Sequence, residues 1–126
     1  MIDNVRLHSC DPATTRSLGT IAKRLLAGRP WDSSVQPVDA AQQECHRRYL
    51  ALRAAGMDLA AADLHGMALR FSAFAAGVDC VIVGGADARH LQNNIAAVSA
   101  GPLGPEQLAA IRAAFSRAGT NWRGLI

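Results

Sequence analysis

The sequence predicts an α/β fold of about three short strands and four helices, and three observations carry that expectation. Val78, Val81, Ile82 and Val83 flank Cys80 in a nearly continuous apolar run that breaks at Gly84-Gly85 and gives way to a polar segment from Asp87. A strand without alternation is one covered on both faces, as in a parallel sheet with helices outside it. Two shorter stretches, Asn4 to Ser9 and Thr20 to Arg24, also read as strands, the first because Val5 and Leu7 alternate with Arg6 and His8. The remaining apolar residues recur at helical spacing in four separate segments.

In chain order, Asp11 to Gly19 is rich in Thr and Ser and contains Pro12, so it reads as a loop or a short helix. Leu25 to Gln36, with Gly28, Pro30 and two serines, is a second loop. Pro37 suits a first helical position, and Val38, Ala41, Cys45, Tyr49 and Leu52 share a helical face up to Gly56. Asp58 suits the cap of a further helix running to Phe74. After the apolar strand, Asp87 to Ser99 and Pro105 to Arg117 read as amphipathic helices, each closely followed by glycine.

A chain of 126 residues buries roughly two-thirds of its unfolded surface, enough for one core and one domain spanning 1–126. No apolar run approaches the roughly 20 residues of a membrane span. Asp3 and Arg6 interrupt any signal-peptide pattern. Cys10, Cys45 and Cys80 are odd in number and widely spaced, which points to small buried or semi-buried thiols in a reducing cytoplasm. The net charge of +3 is mild. His46-Arg47-Arg48 with Arg53 reads as a solvated helix face, since Glu44 lies beside it and no aromatics interleave for base stacking. No nucleic-acid or membrane partner is expected. His46, His65 and His90 lack a zinc-ligand spacing and the cysteines form no CxxC pair, so no metal is expected.

Candidate chemistry gathers in three places. His8 and Cys10, two apart on a strand, face the same side and suit an acid/base site or a thiolate–imidazolium pair. Lys23 and Arg24 end the second strand with positive charge fit for an anionic substrate or a phosphate, and alternation sends one of them toward a pocket. Gly84 and Gly85 let the backbone turn sharply and approach a ligand, while Asp87 caps a helix whose first N–H groups favour an anion; an ordinary βα turn accounts for the same residues. Asp63 and His65, two apart on a helix, do not share a face.

Val81-Ile82-Val83-Gly84, then Leu91 and Asn94, Gly101-Pro102-Leu103, Pro105-Glu106-Gln107-Leu108 and Asn121-Trp122-Arg123-Gly124-Leu125-Ile126 resemble the last strand, last helices and tail of the aldo-keto reductases. Ala68-Leu69-Arg70-Phe71 resembles the helix before that strand. Ile21-Ala22-Lys23-Arg24, with Ala27 and Pro30-Trp31, is similar to the seventh strand and loop of one bacterial branch, and Leu7-His8-Ser9-Cys10 to that branch's fourth strand, whose histidine is catalytic. The resemblance implies part of a (β/α)₈ barrel, a fold of about 250 residues when complete. It also implies NADP as cofactor, with Gly84, Gly85, Ala86, His90 and Asn94 at the adenosine phosphate. His90 stands where many relatives place arginine, and Asn93 where they place glutamate. Lys23, Arg24 and Trp31 fall at substrate- or phosphate-facing positions. The family's catalytic tyrosine, lysine and aspartate motifs have no counterpart here, and Tyr49, the single tyrosine, lies in a helical segment.

Only Cys10 to Gly19 joins the first two strand candidates, whereas a parallel crossover needs a dozen or more residues. The first strand therefore pairs antiparallel or across a subunit, or does not hold the family's place. Unpaired edges favour completion by a homodimer or a complementary subunit. Three functions follow as expectations: a shortened aldo-keto-reductase-like protein that binds a small molecule or anion and has lost stand-alone redox activity, with His8 suited to non-redox proton transfer on a carbonyl-bearing substrate; an NADP-dependent carbonyl or aldehyde oxidoreductase active with a complementary subunit; and a non-catalytic assembly subunit.

Overall fold

Cys80–Val81 is where the apolar run meets a partner. In the computed structural model, which describes residues 19–32, 37–57, 61–85 and 87–122, Ile21–Ala22 (β1) and Cys80–Val81 (β2) pair in parallel, Ile21 opposite Cys80 and Ala22 opposite Val81. The Asp79 and Cys80 amides donate to the Thr20 carbonyl, and the Ile82 amide donates to that of Ala22. The Asp79 carboxylate accepts from the Thr20 amide at 2.7 Å, fixing the entry to both strands. The strand expected over residues 4–9 lies outside the described residues, as do the Asp58 cap and the last four residues of the tail motif.

Ala40–Ala54 (α1) and Ala61–Ala73 (α2) separate the strands, and Ala88–Ser99 (α3) and Pro105–Ala118 (α4) follow them. Pro37 is not helical: the Asp39 carboxylate accepts from the Gln42 amide at 3.0 Å and α1 starts at Ala40, three residues later. Val38, expected on the buried helical face, is therefore 96% exposed. Asp87 caps α3 as expected, its carboxylate accepting from the His90 amide at 2.9 Å. Gly101, at φ 78°, takes the left-handed turn that ends α3. Pro105 opens α4, and the Gln107 side chain reaches back to accept from the Gly104 amide.

The core sits among the helices. Leu52, Leu64, Met67, Ala68, Ile111 and Ala114 pack with Met57 and Leu103 from the connecting segments. Two arginines tie the ends of this bundle. Arg70 donates to the carbonyls of Gly101 and Pro102, and Arg117 donates to that of Ala55 at the end of α1.

The sheet is at the periphery, which corrects the expectation of a strand buried on both faces. Ile21 and Ile82 are 60% and 59% exposed, and Cys80 is exposed as well. The physical reason is that α2 packs against β2 while one face of the two-stranded sheet is left open to solvent. The basic segment is corrected at one residue: Arg48 is buried and paired with Glu44 one turn earlier, while Arg47 and Arg53 are exposed. Among the described residues, no helix is long and apolar enough to cross a membrane.

Candidate functional site

The loop after β1 folds on itself through left-handed backbone. Arg24, Ala27, Gly28 and Arg29 have φ of 59°, 50°, 74° and 57°. Successive turns place the Ala27 amide on the Arg24 carbonyl and the Arg29 amide on that of Leu26. Three of these four residues carry a Cβ, so the conformation costs on the order of 1 kcal/mol each and persists because its surroundings hold it. Leu25 is buried, and Pro30 offers its carbonyl to His46 Nδ1 on α1 at 3.0 Å.

This loop lines two cavities beyond the C-terminal ends of the parallel strands, the side where open α/β sheets bind ligands. One, of about 440 Å³, lies between the loop, α1 and the segment after β2, with Arg24, Leu25, Asp39, Cys45, Val83 and Gly84 on its walls. The other, of about 480 Å³, lies between the loop, α2 and α3, lined by Arg29, Trp31, Asp32, His65, His90 and Asn93.

Within the second cleft the charges are partly neutralised. Arg29 pairs with Asp32, and His90 Nδ1 is 3.8 Å from an Asp87 carboxylate oxygen. His65 Nε2 meets Asn94 Oδ1 at 2.7 Å. An amide oxygen only accepts, so Nε2 is the donor in this contact. Asn94 is itself buried. Replacing it with leucine strands the His65 donor and lowers stability by about 1–3 kcal/mol, whereas Asn94→Asp retains an acceptor and loses less. Urea titrations of both variants measure the difference.

The expected site residues are thus divided. Trp31 and His90 share the second cleft, while Arg24 and Gly84 line the first. Of Lys23 and Arg24, Arg24 lines a cavity and Lys23 lines neither of these two; both lie beyond β1 and Arg24 has left-handed backbone, so the strand alternation expected to part them does not apply. Gly85 lies under His90, where an added Cβ would meet the His90 Cβ at 3.5 Å, and Gly84 has open space instead. Neither glycine takes positive φ, whereas Arg24, Ala27, Gly28 and Arg29 in the loop after β1 do. Asn94 reaches His65 rather than lining either cavity. His8, Cys10 and Ala86 lie outside the described residues.

Arg29 has no sequence-based expectation attached to it, and Asn93 enters there only as the residue at the relatives' glutamate position. His65 was set aside with Asp63, and the structure does separate them, Asp63 standing exposed near Arg70 while His65 faces α3. Gly66 beside His65 lies against Ala97 of α3, although an added Cβ would stand 3.6 Å from it, an ordinary contact, so the glycine was no firm signal. Among the described residues no three His, Cys, Asp or Glu side chains group as a metal site requires. Compared with known protein families, curated proteins and solved structures, the chain matches none.

Proposed function

We propose that this chain is an aldo-keto-reductase-like scaffold that binds a phosphate-bearing small molecule, with the adenosine end of NADP as its best ligand, and that these 126 residues perform no hydride transfer alone. The observation that carries the reading is the convergence of Trp31, from the loop after β1, with His90 and Asn93, from the helix after β2, on one cleft. Trp31 gives an adenine ring an aromatic face. Arg29 and His90 supply donors for phosphate, and Asn93 supplies an amide for a base edge or ribose. These groups fit the adenosine phosphate; Asn94, held by His65, supports the cleft wall instead. When bound, NADP would supply the hydride. The tyrosine, lysine and aspartate that the family uses for the carbonyl have no counterpart motif here, so His8 remains the proposed residue for any non-redox proton transfer.

Calorimetry with NADPH, NADP⁺ and NAD⁺, on protein whose mass in solution is measured in the same sample, tests this reading. Saturable micromolar binding that prefers the 2′-phosphate and falls at least about tenfold in Trp31→Ala is the expected result. Binding unchanged in that variant, or none by the folded protein, overturns it.

A second reading, assembly with another copy or a complementary subunit, draws on a separate observation. Ile21, Cys80 and Ile82 on the sheet, and Leu91 with Ile95 one turn apart on α3, are exposed. Apolar groups on an open sheet and along one helix stripe suit contact with further protein. The mass measurement decides it, a stable dimer or larger species being expected and a monomer at high concentration excluding self-association.

A further inference from the structure

The 440 Å³ cavity beside α1 has a chemistry unlike that of the nucleotide cleft. Leu25, Ala27, Ala41, Cys45, Ile82 and Val83 give it mainly apolar walls. Leu25 and Cys45 are buried at its base. Its volume lies within the range of pockets that enclose small organic ligands.

Three polar side chains also line it, and their bonding separates them. The Asp39 carboxylate already accepts the Gln42 amide as the cap of α1. The Arg24 guanidinium makes no hydrogen bond or ion pair among the described residues, and neither does the Gln42 side-chain amide. The cavity therefore offers one unpaired cation and one neutral donor beside a long apolar surface. A fixed carboxylate nearby penalises a dianion more than a monoanion.

We propose that this cavity binds a medium-chain monocarboxylate, its alkyl chain against Leu25, Cys45 and Val83 and its carboxylate bonded to Arg24 and Gln42. A monoanion matches the single free guanidinium. A phosphate ester would bring a second charge toward Asp39, and an uncharged alcohol would leave Arg24 without a counter-ion. The alkyl chain removes apolar wall from water, which is the larger part of the binding free energy. This inference stands independently of the nucleotide reading, since the two cavities have different linings.

Titration of the ¹⁵N-labelled full chain with butyrate, hexanoate, octanoate and decanoate, all below their micellar concentrations, tests the proposal. Affinity is expected to rise about two- to fourfold per methylene, the range set by partial to full burial of each group. Shifts should centre on residues 24–28, 39–45 and 82–84. Arg24→Gln should weaken octanoate about tenfold, and Ala41→Leu, a change on an exposed helix position, should weaken octanoate more than butyrate by obstructing the path of the alkyl chain while circular dichroism stays unchanged. Octanol and octylamine are the controls. Equal binding of octylamine and octanoate, affinity independent of chain length, or shifts confined to the Trp31 cleft would each overturn the assignment.

Discussion

Replacing Arg48 with alanine lowers the free energy of unfolding by about 2–4 kcal/mol, mostly through the void that its buried stem leaves. Its side chain is 3% exposed, Nε donates to Glu44 Oε1 at 2.7 Å, and the guanidinium carbon lies 5.2 Å from the centre of the Trp122 ring. Alanine removes both contacts and leaves a void where the stem had packed. Arg48→Met separates charge from packing. It refills the space while Glu44 keeps Arg47, which donates from Nε and Nη2 at 2.7 and 2.6 Å, so its cost should be about half or less. Urea unfolding followed by tryptophan fluorescence and by circular dichroism measures both. Equal losses in the two variants would assign the effect to charge alone.

Glu44 adds a pH signature. The hydrogen bonds from Arg47 are the largest cause pulling its carboxyl down to about 2; partial burial opposes them and Arg48 adds to them. Because the folded pKa lies below the unfolded one, the carboxylate's contribution is fully present above the usual carboxylate range and is lost as pH falls from there toward about 2. Glu44→Gln should therefore cost about 1–2 kcal/mol at neutral pH, a figure discounted for the partial exposure of the carboxylate. The gap from the parent protein should narrow through that acidic window. A gap constant with pH would mean that the carboxylate's charge is irrelevant.

The helices were legible because their ends carry local chemistry. Asp87 caps α3, Gly101 stops it, and Pro105 opens α4, each through contacts within a few residues. The start of α1 was misplaced where two local signals competed, and the carboxylate of Asp39 outweighed the φ preference of Pro37. Burial of the apolar strand was not legible, since it depends on what covers the sheet, and composition alone does not distinguish a strand enclosed in its own chain from one exposed as Ile82 is. The left-handed loop at Arg24, Ala27 and Arg29 was hidden for another reason: only Gly28 there announces such backbone in sequence. The second cleft joins residues from three elements, and its His65–Asn94 bond spans 29 positions. No spacing rule reaches that far, so Trp31 and His90 could be named individually but not the company they keep.

Changing Gly119 to alanine should destabilise the protein by about 1–3 kcal/mol, although its φ of −111° is one that alanine adopts freely. The obstacle is contact. An added Cβ would fall well inside van der Waals distance of two carbons of the Phe115 ring, and Gly119 is buried. Phe115 cannot yield without loss, because its ring meets Trp122 edge-on at 5.8 Å between centroids and packs against the core. Trp122 in turn lies against Arg48, so displacement of Phe115 should propagate to the ion pair on α1. A double-mutant cycle with Phe115→Leu separates this clash from any effect on the helix end. If the ring is the obstacle, the cost of alanine shrinks by about 1 kcal/mol or more in the leucine background. If the cost persists there, the end of α4 itself requires glycine and the aromatic contact is incidental.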